Sequence, residues 1–295
     1  MAVYNIQGIE ISSRRSLRVL FVGNSLTQDG IAYLPYLLKT FFSPAISFKL
    51  YMYYNGGYTL AQQYAQMTEE TPCQTFSSAE DNVTWSNSRN AVNMKTILAE
   101  REFDIVCLQD YFNYKDSYTD SDIQVWNNCR DYIVENYTGG NSLHFISLFH
   151  APKRDTADSV YAMTVTGNLK ILQDTIADDI IPNGMAVYRA LSSDLDSLGD
   201  ESHLSPDGTH TQEGLPCLLQ TYVTLLWIFD RFGMPYGIYG LPFKMTTDIY
   251  NTLDVPGANL GTGVIEGTDA QNLLAQEIAT MAFKDGKKLV QQALT

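Results

Sequence analysis

The sequence is poor in cysteine, and its cysteines are not arranged for metal or disulfide chemistry. None of them belongs to a C-x-x-C pair or has the ligand spacing of a zinc site. Cys107 lies in an apolar run typical of a strand, and Cys217 lies in one typical of a helix. We therefore expect free, structural thiols that pack as small apolar side chains. They are Cys73, Cys107, Cys129 and Cys217.

Basic residues are also scarce, which restricts the class of partner. The 295 residues include 19 Lys and Arg against 33 Asp and Glu, and the net charge is −14. Nucleic acids and anionic membrane surfaces are bound by clustered basic side chains, so neither is an expected partner. No apolar run approaches the roughly 20 residues that a membrane-spanning helix needs. We expect a protein that neither binds nucleic acid nor enters a membrane.

The N-terminal residues lack the long apolar core that follows a basic head in a signal peptide. No signal peptide is therefore predicted, although a chain trimmed of its leader would look the same, and the compartment stays open. Hydrophobic residues make up 45% of the chain, and there is no low-complexity tract. This composition is typical of a folded, soluble protein.

Short apolar runs alternate with helical patterns from residue 18 to about 230. The alternation predicts an α/β protein with three layers, α/β/α, around a mainly parallel sheet of about five strands. The polar residues 71–93 are expected to form an excursion or a small hairpin. No linker separates a second domain, so we expect one domain over residues 1–295, with 236–295 as a C-terminal extension packed on it. The predicted strands are 18–22, 46–54, 103–108, 143–149 and 185–188, and the predicted helices are 31–42, 122–137, 161–181 and 215–232.

A serine follows the first predicted strand, in the segment Gly23-Asn24-Ser25. In an open α/β sheet the carboxyl ends of the strands form the edge at which sites are built. The N–H groups at the start of the next helix favour developing negative charge at the same place. Ser25 is therefore a candidate nucleophile, with a helix cap as the alternative. The absence of a G-x-S-x-G elbow disfavours an α/β-hydrolase site.

An acid and a base precede the last predicted helix, in the segment Asp207-Gly208-Thr209-His210. A serine hydroxyl is a weak nucleophile until a neighbouring base takes its proton, and a carboxylate must orient that base. The spacing of three residues lets a turn bring Asp207 against the His210 ring. A solvated turn histidine is the alternative.

Two further residues at strand ends can stabilise an oxyanion. Gly57 follows the second predicted strand and can present a bare backbone N–H group, whereas Gln109 ends the third strand and carries a side-chain amide. A turn glycine and an edge polar residue are the alternatives. Four such features in chain order favour a hydrolytic site.

These segments resemble the sequence blocks of SGNH (GDSL-like) hydrolases. FVGNSLTQDG is similar to the first block, NGGYT to the second and DGTH to the last. More narrowly, IIPNGMAVYRAL and LSPDGTHTQEG resemble an uncharacterised SGNH-like family of gut Bacteroidetes, and the resemblance covers about residues 18–235. It implies a bacterial hydrolase of flavodoxin-like fold with Ser25 as nucleophile, Asp207 and His210 as its acid and base, and the N–H groups of Ser25 and Gly57 in the oxyanion hole.

The third block of the superfamily usually reads G-x-N-D, with the Asn side chain as an oxyanion donor, but here the segment is CLQDYFNY. Gln109 stands in the place of that asparagine. Because glutamine carries the same amide on one more methylene, we predict that its amide is aimed at the oxyanion, with Asn113 as the alternative donor. Tyr58, Tyr111 and His150 are candidate substrate-binding residues near the site, with core or surface roles as the alternative.

The sequence thus predicts a serine esterase that hydrolyses carboxylic esters through an acyl-enzyme and deacetylates carbohydrates, without a metal or an organic cofactor. Its expected partner is a small or carbohydrate ester. Two alternatives stay open. One is a catalytically silent glycan-binding protein on the same fold, and the other is a thioesterase or lysophospholipase.

Overall fold

A computed structural model describes residues 3–4, 10–11, 15–43, 46–89, 91–110, 119–149, 157–174, 176–198, 204–234, 237–253 and 263–295. The strands are β1 Val3–Tyr4, β2 Glu10–Ile11, β3 Arg15–Gly23, β4 Ile46–Tyr54, β5 Thr75–Glu80, β6 Ser86–Arg89, β7 Ile105–Leu108, β8 His144–Leu148 and β9 Asp179–Ile181. The helices are α1 Ser25–Ile31, α2 Leu34–Phe42, α3 Leu60–Thr68, α4 Met94–Glu100, α5 Asp120–Asn136, α6 Ala157–Gln173, α7 Asn183–Ala190, α8 Leu215–Arg231, α9 Thr247–Thr252 and α10 Asp269–Ala293.

Within the described part of the chain, seven strands form the central sheet in the order β6-β5-β4-β3-β7-β8-β9. The five strands from β4 to β9 in that order are parallel, whereas β5 and β6 are antiparallel additions at one edge. The prediction of a mainly parallel sheet is confirmed. The predicted excursion at 71–93 contains the β5–β6 hairpin.

Helices cover both faces of the sheet. Side chains of successive residues in a strand point to opposite faces, so a central strand contributes to two cores. In β3, Leu17, Val19 and Phe21 belong to the core that contains residues of α2, α7, α8 and α10. Leu20 and Val22 belong to the other core, with residues of α4 and α5. The predicted three-layer α/β/α class is therefore confirmed.

The last parallel strand differs from the prediction. Residues 185–188 lie in α7, and the strand is the three-residue β9, which pairs with β8 from Asp179 onward. The helix predicted at 161–181 ends at Gln173. Such a short strand has too few residues to show a period of its own, while the apolar residues of α7 follow helical spacing.

The chain leaves β3 toward β4 on one side and later returns to β7 on the other side of β3. In doubly wound sheets the crevice at the carboxyl ends of strands beside such a reversal is where ligands bind. Gly23 ends β3, and Gln109 follows β7 at this edge. Among the described residues no helix is long and apolar enough to cross a membrane.

Candidate active site

Ser25 is the first residue of α1, and only Asn24 separates it from the end of β3. The helix begins there because Asn24 caps it: Asn24 Oδ1 accepts a hydrogen bond from the Leu26 N–H group at 3.0 Å. Gly23 is required by close packing, since a Cβ atom there would lie 2.0 Å from Thr27 Oγ1. This turn leaves Ser25 partly exposed while its neighbours are buried.

The structure brings Ser25, His210 and Asp207 into one hydrogen-bonded chain. Ser25 Oγ lies 2.7 Å from His210 Nε2, and His210 Nδ1 lies 2.6 Å from Asp207 Oδ2. The backbone N–H groups of Thr209 and His210 donate to Asp207 Oδ1 at 2.8 and 2.7 Å. The carboxylate is therefore held on one side by its own turn and presents its second oxygen to the imidazole ring.

The electrostatics of Asp207 favour its ionised form. Partial burial opposes ionisation, but hydrogen bonds from the His210 ring and from the backbone N–H groups outweigh it, so the pKa of Asp207 lies below its usual range. An ionised carboxylate on Nδ1 fixes one imidazole tautomer and leaves Nε2 free to accept the proton of Ser25.

We call residues 204–214 the His loop. Two backbone N–H groups of this loop donate hydrogen bonds to the helical segment that begins with the serine. The N–H group of Thr211 donates to Asp29 Oδ2 at 3.0 Å, and the N–H group of Gly214 donates to the Tyr33 hydroxyl at 2.8 Å. Both acceptors are buried. These two hydrogen bonds fix the distance in space between the segment of Ser25 and the segment of His210, which are 185 residues apart in the sequence.

The C-terminal extension contacts the other side of the His loop. The N–H group of Leu215 donates to the Ile265 carbonyl at 2.8 Å, and the Ile265 N–H group donates to the Glu213 carbonyl at 3.0 Å. Between them Gly214 has a φ of +94°, and a Cβ atom there would lie 2.2 Å from the Ile265 carbonyl oxygen. Glycine is therefore needed at this point of contact.

Gly57 lies in a turn beside the start of α1. The Tyr58 N–H group donates to the Asn55 carbonyl at 3.3 Å, and Gly57 within this turn has a φ of +70°. Asn24 Nδ2 donates to the Tyr58 carbonyl at 3.0 Å, which ties the turn to the residue before Ser25. Gly57 is exposed, and no atom lies within 4 Å of the position that a Cβ would take.

Buried amides support this turn from below. Asn55 is fully buried, and its Nδ2 donates to Gln63 Oε1 at 2.6 Å. Gln63 Nε2 in turn donates to the Gly23 carbonyl at 3.0 Å. The turn that carries Gly57 and the strand end that carries Ser25 therefore share one hydrogen-bond network.

Gln109 occupies the predicted strand end, but its side chain is not directed as predicted. It is fully buried, its Oε1 accepts from Thr27 Oγ1 at 2.9 Å, and its Nε2 donates to the backbone carbonyl of Asp110. The predicted aim at the oxyanion is thus corrected: these partners hold the amide between β7 and α1. The effect of Gln109→Ala on kcat tests its predicted role as an oxyanion donor.

Of the predicted substrate-binding residues, Tyr58 is half-buried beside Gly57. Tyr111, Asn113 and His150 lie outside the described residues. Within the described part of the chain, no group of three His, Cys, Asp or Glu side chains is arranged to hold a metal ion.

Sequence reasoning did not find Asp29, Tyr33 and Thr211. The Asp29-Gly30 pair has the composition of a turn, and the partners of these residues lie about 180 positions away in the chain. One signal was available in hindsight: Asp29 is four residues after Ser25, so both lie on one face of α1.

No family model matches the sequence, and no curated protein is significantly similar to it. Among solved structures, a DUF4886 family protein from Bacteroides uniformis is similar, with a TM-score of 0.68 and 15% identity over 91% of this chain and 95% of that chain. A candidate SGNH hydrolase from Slackia heliotrinireducens aligns with a TM-score of 0.48 and 16% identity, over 72% of this chain and 100% of that chain. The likeness to the Bacteroides uniformis protein agrees, at the level of the fold, with the family resemblance seen in the sequence.

Proposed function

We propose that the protein is a serine esterase that hydrolyses carboxylic esters through an acyl-enzyme. The observation that carries the proposal is the chain of hydrogen bonds from Ser25 Oγ to His210 Nε2 and from His210 Nδ1 to Asp207 Oδ2. A serine becomes a nucleophile when an adjacent base can take its proton and a carboxylate holds that base in one tautomer. The three side chains satisfy both conditions within ordinary hydrogen-bond distances.

In the proposed reaction Ser25 Oγ attacks the ester carbonyl carbon while its proton passes to His210 Nε2. The tetrahedral intermediate expels the alcohol, which takes that proton, and the acyl group remains on Ser25. Water then attacks the acyl carbon and gives a proton to His210. The second tetrahedral intermediate expels Ser25 Oγ, which takes that proton, and the carboxylic acid is released. Asp207 accepts the Nδ1–H bond throughout and stabilises the imidazolium.

The backbone N–H groups of Ser25 and Gly57 are the proposed donors of the oxyanion hole. The N–H group of Ser25 belongs to the first turn of α1 and has no acceptor within the helix. Gly57 belongs to the turn that Asn24 ties to the same strand end. Donors on such tied segments need little reorganisation when the charge develops, and this is the main requirement for oxyanion stabilisation.

For the substrate we propose short acyl esters on carbohydrates. The net charge of −14 disfavours anionic lipid surfaces. The half-buried ring of Tyr58, directly after Gly57, is suited to packing against a sugar ring. Thioesters and lysophospholipids would require the same chemistry at Ser25, so a comparison of acetylated oligosaccharides with these substrates tests this part of the proposal.

The test is reaction with a fluorophosphonate probe followed by peptide mass mapping. We expect the label on Ser25, and we expect Ser25→Ala to lose both the label and the hydrolysis of an aryl acetate. Ser16→Ala is a matched control, because Ser16 is exposed and lies near the start of β3, whereas Ser25 follows the end of that strand. Absence of label from the folded wild-type protein would contradict the proposal.

One observation favours a second candidate, a catalytically silent glycan-binding protein. The Gln109 amide, in the place of the usual third oxyanion donor, is bonded to Asp110 and Thr27 instead. A folded protein that binds oligosaccharides but neither reacts with the probe nor hydrolyses an aryl acetate would support this candidate.

A further inference from the structure

Asp29 is a buried carboxyl group next to the proposed triad. It lies one helical turn after Ser25 on α1, and only 6% of its surface is exposed. Its Oδ2 accepts a hydrogen bond from the Thr211 N–H group at 3.0 Å and a longer one from the Thr211 hydroxyl at 3.4 Å. Thr211 is the residue directly after His210, so Asp29 holds the segment that carries the base.

The surroundings of Asp29 are charged as well as buried. Burial raises the pKa of its carboxyl to about 7, while the attraction of His210 and the Thr211 N–H bond oppose the rise. Glu213 and Asp207 in the His loop raise it further. Among the described residues, the Cys217 thiol on α8 and the Tyr54 hydroxyl at the end of β4 also interact electrostatically with it.

A carboxylate is a costly way to satisfy one backbone N–H group in such a place. The amide oxygen of an asparagine would accept the same bond from Thr211 without a charge. What the carboxylate adds is a negative charge that attracts the protonated form of His210. That form is the one that appears in the transition state of a serine hydrolase.

Building on the proposed esterase function, we infer that Asp29 is a positioning residue for His210. The ionised carboxylate of Asp29 holds the His loop through Thr211 and stabilises the imidazolium of His210 by its negative charge. Asp207 holds the ring through Nδ1, and Asp29 acts through the following backbone N–H group and through its charge. The site would then use two carboxylates, of which only Asp207 touches the base. Ionisation of the second one would switch the site to its more active form.

The test compares Asp29→Asn with the wild type, using aryl acetate hydrolysis between pH 5.5 and 8.5 at constant ionic strength. Asparagine imitates the protonated carboxyl, so we expect equal kcat/KM at low pH. The ratio of wild type to variant should rise through pH 7 to about tenfold, a size expected when a charge near an ion is neutralised at a partly solvated site. Ionisations that Asp29 does not influence divide out of this ratio.

Asp179→Asn is the matched control. Asp179 is buried to a similar degree and accepts N–H bonds from Ile180 and from Trp227 Nε1, but it begins β9, the last strand of the sheet, which β7 and β8 separate from β3. Its ratio should not change with pH. A flat ratio for Asp29→Asn, even with lower activity at every pH, would reduce Asp29 to a structural role and overturn the inference. Equal pH-dependent ratios for both variants would overturn it too.

A second measurement does not depend on activity. Carboxyl and imidazole NMR signals of the Ser25→Ala protein should show the His210 ring responding at the pH where Asp29 titrates, and Asp29→Asn should abolish that response. A His210 ring that does not respond to the titration of Asp29 would refute the electrostatic coupling between the two residues. If the wild type neither labels nor hydrolyses esters, the esterase proposal fails while the NMR result still decides on Asp29. If it labels but the activity ratio is flat, only the inference about Asp29 fails.

Discussion

Asp29→Asn should stabilise the protein at neutral pH while weakening the activity proposed for it. The carboxyl of Asp29 is buried, and its pKa lies at about 7 in the folded protein against an ordinary value of 3.8. Ionising it in place therefore costs free energy that a neutral asparagine does not require. A variant that gains stability and loses activity is difficult to explain by a merely structural role.

The sign and size of the effect follow from proton linkage. Between pH 3.8 and 7 the folded state keeps the Asp29 proton while the unfolded chain releases it, so the free energy of unfolding falls as the pH rises. At about 1.4 kcal/mol for each pH unit, the difference between the two pKa values corresponds to about 4 kcal/mol. The loss is complete above pH 7, and it is absent below the pKa of the unfolded chain.

Urea unfolding of both proteins at several pH values from 4 to 8 measures this difference. The free energy of unfolding of Asp29→Asn minus that of the wild type should increase by about 4 kcal/mol over the range, whatever its value at pH 4. All carboxyl groups shared by the two proteins cancel in the comparison. A difference that stays constant from pH 4 to pH 8 would refute the assignment of a raised pKa to Asp29. A difference that decreases would mean that the charge stabilises the fold.

The remaining predictions concern the supports of the site. Gln109→Ala should lower the free energy of unfolding by about 2–3 kcal/mol, because it leaves the buried Thr27 hydroxyl without its acceptor, and should change kcat less than tenfold. A loss of about 10²–10³ in kcat at constant KM would instead make Gln109 an oxyanion donor. Gly214→Ala should destabilise the fold by about 3 kcal/mol and lower kcat by about 10–10²-fold, since its Cβ would displace Ile265 or the His loop. Gly233 has a φ of +59° with open space around it, so Gly233→Ala is the control. It should lower the free energy of unfolding by only about 1 kcal/mol and leave kcat unchanged. Equal effects of the two glycine substitutions would contradict the role of Ile265.

The strands that the sequence predicts correctly are those whose apolar runs are long enough to be buried on both faces. The parallel strands β3, β4, β7 and β8 are of this kind. The strand β9 was missed because it has three residues and begins with Asp179. The carboxylate at that position is buried because it accepts the Trp227 Nε1–H bond from α8. A contact between residues 48 positions apart thus determines where the strand lies, and no local sequence pattern predicts this contact.

The same distinction applies to the candidate site. The approach of Ser25 to His210 follows from motifs at the carboxyl edge of the sheet and could be predicted. The direction of the Gln109 side chain could not, since it depends on the Thr27 hydroxyl and the Asp110 carbonyl around it. Gln109 shows that matching a residue to a block position identifies its place in the fold, whereas its chemical role depends on the partners that its polar atoms find.

The supports of the His loop therefore come from residues to which the motifs assign no role. Asp29 and Tyr33 hold the loop from the side of α1, and Ile265 in the C-terminal extension holds it from the other. The extension lies outside the segment that resembles known hydrolases, yet its contact at Ile265 is only five residues from His210, through Leu215. Because catalysis of acyl transfer is sensitive to small displacements of the base, changes in residues 263–267 should affect kcat more than KM. The hydrolytic site proposed for this protein thus depends on the segments that hold the His loop in place, and not on the three side chains alone.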